Sequence, residues 1–221
     1  MPVLFLYMIP LKDNLANKHF PLMTSGLILA CVVIYILQVK LSLEGIDLSL
    51  IYGMRPAYLF QEPSFDHFLT PVTSIFLHGG IIHLLGNIWF LWLFGNNLED
   101  ELGHLKFLLF FLTGGLFASL VHAGMFRYSH TAVIGASGAI SAIMGGYALL
   151  FPKARIKAII PFLIFFKTVE VRAYMFLGIW FLYQIWGSHI PVFGPSGGIA
   201  WFVHIGGFIF GLISVKIWAK G

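Results

Sequence analysis

A single cysteine, Cys31, leaves the 221-residue chain without an internal disulfide. Charge is equally sparse: Asp, Glu, Lys and Arg make up 10% of the residues, against 59% hydrophobic ones. A soluble fold of that balance, with a mean hydropathy of +0.90, would be covered in apolar surface, so most of the chain is expected to face lipid. The formal charge of +4 comes from basic residues scattered between apolar runs, with no stripe that a phosphate backbone could follow, and no nucleic-acid partner is expected. The apolar opening, 3–10, has no basic region before it and no small-residue cleavage site, which reads as a short interfacial segment rather than a cleavable signal peptide.

What the chain does have is long apolar runs. A bilayer core of about 30 Å needs roughly 20 residues of helix. Six runs of that kind are predicted, over 25–39, 73–94, 105–123, 132–151, 173–187 and 199–218, which gives an all-α membrane protein with a six-transmembrane-helix bundle. The organisation expected is an N-terminal cytoplasmic or interfacial segment, 1–24, a six-span domain, 25–218, and a cytoplasmic end, 219–221. The run 159–166 is too short to span and is assigned to a loop. The connection 40–72 is expected to rest on the membrane surface, and Glu99-Asp100-Glu101 and the cluster from Lys153 to Lys157 to form solvated cytoplasmic turns. Lys40, Arg55 and Arg127 lie on one side of this arrangement and the other ten basic residues on the opposite side. Such a bias puts both termini in the cytoplasm. The expected home is the plasma membrane of a bacterium or archaeon.

Polar groups at membrane depth are costly and each needs a reason. Apart from hydroxyls and Gln184, the candidates are His83, Asn87, His122 and His204; none of the nine acidic residues falls well inside a predicted run. That absence excludes chemistry built on two buried carboxylates, and no HExxH pair is present for zinc. His78, His83 and His204 lack the carboxylate or thiolate spacing of a specific metal site, so no metal or other cofactor is called for. The second, fourth and sixth runs all enter from the outer side, which brings His83, Ser137 and His204 to similar depth in the outer half of the membrane. Small residues recur at Gly138, Ala142 and Gly146 and at Gly207 and Gly211, a spacing that lets two helices approach closely. A serine and a histidine meeting there have no acid to orient the imidazole and would act as a dyad.

At these residues the sequence resembles the rhomboid family of intramembrane serine proteases. Gly135-Ala136-Ser137-Gly138 resembles the family's GxSG motif, His83-Leu84-Leu85-Gly86-Asn87 its HxxxN, and His204-Ile205-Gly206-Gly207-Phe208-Ile209-Phe210-Gly211 its HxxGxxxG. GxSG alone is common; the three in order on alternate helices are specific. The resemblance implies a serine endopeptidase that cuts transmembrane proteins within the bilayer. Ser137 would be the nucleophile and His204 its base. The Ser137 amide with the side chains of His83 and Asn87 would form the oxyanion site. Gly135 and Gly138 would let the substrate backbone approach. In some members the residue one turn after the nucleophile is an aromatic that stacks on the histidine; here it is Ser141, and the first outer loop lacks the Trp-Arg pair of one large subset.

The comparison with the family also implies that the fifth run bears on substrate entry. Trp180, Phe181, Tyr183 and Trp186 are candidates for a lateral gate, or for an ordinary lipid-facing aromatic belt. Gly194-Pro195-Ser196-Gly197-Gly198 reads as an outer cap. His78 is expected at the membrane boundary or as a partner of the site, and His122 as a packing residue. The alternative to an enzyme is a catalytically silent, rhomboid-like binder of transmembrane helices. A transporter is disfavoured by the lack of charge at the midplane.

Overall fold

The computed structural model describes residues 8–162, 165–189 and 200–219. The chain runs β1 (Ile9–Asp13), α1 (Leu22–Leu43), α2 (Leu48–Tyr52), α3 (Pro56–Gln61), α4 (Phe65–Thr73), α5 (Ile81–Leu102), α6 (His104–Met125), α7 (Ser137–Leu150), β2 (Arg155–Phe162), β3 (Phe165–Arg172), α8 (Ala173–Ser188) and α9 (Trp201–Trp218). Helices α1, α5, α6 and α9 are long and apolar enough to cross a membrane. The other two predicted runs are the shorter α7 and α8, of 14 and 16 residues. At 1.5 Å per residue α7 is about 21 Å long, less than the bilayer core. The missing length is at its N-terminal end. Residues 132–136, predicted as helix, lie outside it, with Met54 and Val133 paired in an antiparallel bridge and Ala136 in a turn that caps α7. The helix therefore opens at Ser137. The predicted outer cap, 194–198, and most of the opening segment lie outside the described residues.

The all-α expectation needs correction, because β1, β2 and β3 form an antiparallel sheet in that order. The run 159–166, assigned to a loop, belongs to the β2–β3 hairpin, with Ile159 opposite Thr168 and Ile9. Along β2 the side chains alternate: Ile156 and Ala158 are buried while Arg155 is exposed. A short apolar run cannot span, and near lipid its backbone groups need partners, which the neighbouring strands supply. On the outer edge of β1 the Trp89 indole donates to the Pro10 carbonyl at 2.7 Å. The strand ends at Asp13, whose Oδ2 accepts from the Tyr147 hydroxyl at 2.6 Å and from Asn97 Nδ2 at 2.7 Å. Burial pushes the Asp13 carboxyl above the usual carboxylate range, against the pull of its hydrogen bonds from Tyr147 and the Leu15 amide.

The acidic stretch at the end of α5 is not a solvated turn. α5 starts later than predicted, after the break at Gly79 and Gly80, and runs on through Glu99, which is 1% exposed. Its carboxylate accepts from the Met23 and Thr24 amides, each at 2.8 Å, and contacts His104. These amides are among the unpaired donors at the start of α1, where the helix dipole favours an anion. Asp100 holds the chain just before α1 through the Lys18 amide at 2.9 Å and the His19 amide at 3.1 Å.

The connection 40–72 is folded as α2, α3 and α4 and is tied to the bundle by backbone contacts. The Ala57 amide donates to the Ser129 carbonyl at 2.9 Å and the Met54 amide to that of Val133 at 3.2 Å, while the Thr73 hydroxyl joins α4 to α2 through the Tyr52 carbonyl at 2.8 Å. Arg55, in place of a Trp-Arg pair, lies over the Tyr58 ring.

The core lies where α7 is enclosed by α5, α6 and α9. A Cβ on Gly207 would stand 2.1 Å from the Gly138 carbonyl oxygen, one on Gly145 2.1 Å from that of Phe208, and one on Gly211 2.0 Å from that of Ala142. The two helices therefore meet backbone to backbone, as the small-residue spacing predicts. Gly211→Ala is expected to lower stability by about 3 kcal/mol, toward the upper end of an overpacking cost because the obstacle is backbone. The melting temperature of the detergent-solubilised protein measures it, and a value equal to that of the unsubstituted protein would contradict the packing described.

Candidate active site

Ser137 is the first residue of α7, and His83 and His204 sit in the first turns of α5 and α9. The α7–α9 contact brings two of them together: Ser137 Oγ and His204 Nε2 are 2.9 Å apart. As an opening residue of α7, Ser137 has an amide with no carbonyl one turn earlier in the helix to bond, and it stands at the positive end of the helix dipole. Ser141, one turn on, spends its hydroxyl on the Ser137 carbonyl at 2.6 Å and does not touch the imidazole.

The other ring nitrogen of His204 meets Gln184 on α8. Nδ1 and Gln184 Oε1 are 2.8 Å apart, and Gln184 Nε2 donates to the Trp180 carbonyl at 3.3 Å. The Trp180 ring lies 6.0 Å from that of His204, centre to centre. Gln184 is the residue that the sequence reading passed over. Its signal was present, an amide side chain alone in an aromatic-rich apolar run, but nothing in the spacing said that it faced α9.

His83 and Asn87 converge beside Gly135. A Cβ on Gly135 would lie 2.7 Å from both His83 Cε1 and Nε2 and 3.7 Å from Asn87 Nδ2. Gly135 has φ +123°, a conformation that a side chain rarely tolerates, and its amide donates to the Ser74 carbonyl at 2.9 Å. His83 Nδ1 accepts from the Gly79 amide at 3.3 Å, so in the neutral ring the proton is on Nε2, the nitrogen nearest Gly135. Asn87 Nδ2 donates to the His83 carbonyl at 3.1 Å and keeps a second hydrogen. Gly138 is placed differently: a Cβ there would meet Val203 at 2.5 Å and Ala118 at 2.8 Å, so its smallness serves helix packing.

His78 is buried rather than interfacial. Its backbone is held by Gln38 through two hydrogen bonds, 3.0 Å from its amide and 3.3 Å to its carbonyl, and its ring packs edge-on against His83 at 5.3 Å. His122 packs on Phe126. Between α5 and α8 a cavity of about 210 Å³ is lined by Met8, Phe90, Phe176, Trp180, Tyr183 and Gln184. Of the aromatics proposed for a gate, Trp180 and Tyr183 line this cavity, Phe181 stacks on Phe208, and Trp186 points outward. Among the described residues no group of three or more His, Cys, Asp or Glu side chains is arranged to hold a metal ion.

A family model described as the rhomboid domain matches residues 66–220, which include every residue of this site. The chain belongs to the rhomboid family. It is 27% identical over 148 residues to presenilin-associated rhomboid-like protein A, mitochondrial, of Danio rerio, covering 65% of this chain and 36% of that protein. It is 30% identical over 123 residues to rhomboid protease GluP of Bacillus subtilis (strain 168), covering 56% of this chain and 23% of that one. With rhomboid protease GlpG of Salmonella paratyphi A it shares 27% identity over 136 residues, 62% of this chain and 46% of the relative. The aligned part is thus less than half the length of each of these relatives. The relatives include mitochondrial and chloroplastic proteins as well as bacterial ones, all bearing the rhomboid name. This chain is a rhomboid integral membrane protein with several spanning helices.

Substitution of Gly135 tests the geometry without reference to activity. Gly135→Ala is expected to cost about 1–3 kcal/mol, the strain of its backbone conformation alone, before any displacement of His83. A thermal melt in detergent reads it, and an unchanged midpoint would contradict the placement of His83 against Gly135.

Proposed function

We propose that this rhomboid is an intramembrane serine endopeptidase that hydrolyses peptide bonds in or near the transmembrane segments of other proteins, with Ser137 as nucleophile and His204 as general base. The supporting observation is the 2.9 Å approach of Ser137 Oγ to His204 Nε2, at the outer ends of two helices with no reason to expose polar groups to lipid. An unassisted hydroxyl is a weak nucleophile at neutral pH, and an imidazole at hydrogen-bond distance removes its proton as it attacks. The resulting oxyanion would be met by the Ser137 amide at the start of α7 and by His83 Nε2–H and Asn87 Nδ2–H beside Gly135, donors fixed before the reaction begins. Protonated His204 would then give its proton to the leaving amine. A water activated by the same nitrogen would release the acyl group from Ser137.

The six helices that coincide with the predicted runs are read as six spans with both termini cytoplasmic. α7 and α8 are shorter because the site is sunk below the outer surface. A helical substrate hides its carbonyls in hydrogen bonds, so the scissile stretch must be extended when it reaches Ser137. The cavity between α5 and α8 is lined in part by Trp180 and by Gln184, which bonds His204, and would offer a lateral path for such a segment. Cleavage is expected near the outer membrane boundary, where a helix unwinds most readily.

The test is the protein in proteoliposomes with a single-span substrate, assayed for cleavage and for labelling of Ser137 by a fluorophosphonate. Ser137→Ala and His204→Ala are each expected to abolish cleavage; undiminished cutting by both would falsify the mechanism. An absence of cutting and labelling by the unsubstituted protein would favour a silent binder of helices. Asn87→Ala is expected to retain the fold and lose about 10²- to 10³-fold in kcat, the usual cost of one oxyanion donor. A kcat unchanged by Asn87→Ala would remove that side chain from the oxyanion site.

A further inference from the structure

We propose that Gln184 is the positioning residue of the site, an amide that fixes both the orientation and the tautomer of His204. The inference rests on the dyad reading and goes beyond it, because the Ser137–His204 distance alone does not say which ring nitrogen holds the proton. The hydrogen-bond chain through Gln184 does. The Trp180 carbonyl can only accept, so the end of the Gln184 amide lying 3.3 Å from it is the NH₂ group. The opposite end, 2.8 Å from His204 Nδ1, is then the carbonyl oxygen, which also can only accept. Nδ1 must therefore carry the hydrogen. In a neutral imidazole the proton on Nδ1 leaves a lone pair on Nε2, aimed at Ser137 Oγ 2.9 Å away. One glutamine, itself anchored one turn back on α8, thus leaves His204 ready to accept the serine proton.

The surroundings leave this task to Gln184. Ser141 is occupied with the Ser137 carbonyl, and Trp180 lies at 6.0 Å with its plane tilted 40° from the imidazole, too far and too inclined to stack closely on it. Gln184 is 4% exposed, an amide buried in an apolar helix whose two ends are both satisfied by this arrangement. The other titratable side chains acting on His204 are His83 and His122, and substitution of Gln184 alters neither.

The experiment compares Gln184→Leu and Gln184→Glu with the unsubstituted enzyme in proteoliposomes, reading kcat, KM and the pH–rate profile. Leucine keeps the volume and removes the acceptor. Its kcat is expected to fall about tenfold to a hundredfold, the loss of one hydrogen bond to a group that becomes charged, with KM little changed. Its acid limb should move to lower pH, because the imidazolium has lost a partner. Glutamate keeps the acceptor and adds a negative charge, so it should recover part of kcat and move the acid limb to higher pH. Opposite displacements are not produced by loss of packing. Wild-type kcat and an unmoved profile in Gln184→Leu, with Ser137→Ala inactive, would overturn the role of Gln184 and leave the dyad standing. Activity surviving in Ser137→Ala would instead remove the dyad itself. Should the leucine variant fail to fold, ¹⁵N NMR of histidine-labelled wild-type protein, with His204 assigned through His204→Ala, reads the tautomer directly. A proton on Nδ1 supports the proposal, and a proton on Nε2 in the neutral ring refutes it.

Discussion

The contact between α7 and α9 determines most of what this molecule can do. Where Gly207 lies against the carbonyl of Gly138, and Gly211 against that of Ala142, no side chain separates the two helices. Their separation is then set by backbone van der Waals radii rather than by rotamers, and lipid gives them little hydrophobic incentive to associate otherwise. A serine at the start of one helix and a histidine in the first turn of the other inherit that rigidity. Hydrogen-bond distance between their side chains follows from helix geometry, with the loops contributing only the depth at which α7 begins.

Depth has its own physical cause. Residues 132–136 are apolar enough to extend a helix, yet they stay outside it because Val133 bridges Met54 and the Gly135 amide bonds the Ser74 carbonyl. Irregular backbone is tolerated at membrane depth only where its polar groups are paired inside the protein. The connection between α1 and α5 supplies these partners. It thus holds this stretch in place, and with it the start of α7 and the φ of Gly135 that makes room for His83.

Legibility in the sequence followed the range of the interactions. Helical runs and the small-residue ridges of α7 and α9 are local patterns, and they could be read from periodicity and spacing. Ser137, His204, His83 and Asn87 stand out only through motifs that resemble those of the rhomboid family. Hidden features had distant partners. Glu99 looks like part of a solvated turn until the amides of Met23 and Thr24, more than seventy residues earlier, are seen to close on it. The β2–β3 hairpin is composed of residues apolar enough to suggest a failed span, and only pairing with β1 reveals the two-residue alternation of Ile156 and Ala158 as a sheet face. Gln184 was visible as an isolated polar residue, but the rotation of α8 that aims it at His204 has no sequence signature.

The choice of a neutral amide beside His204 is consistent with the solvent around it. A carboxylate in that position would orient the imidazole equally well, but in the free protein it would be a buried charge opposite a neutral ring, an arrangement that low-dielectric surroundings strongly disfavour. Glutamine supplies the acceptor without the charge, and its second polar end is absorbed by the spare lone pair of the Trp180 carbonyl on its own helix. In the proposed reaction the cost would appear later, when His204 is protonated and Gln184 offers it only a dipole. Under the proposed mechanism the imidazolium would be stabilised by the oxyanion formed at the same moment. Charge separation would then be confined to an ion pair created and discharged within the proposed turnover, with no net charge held in the membrane between reactions.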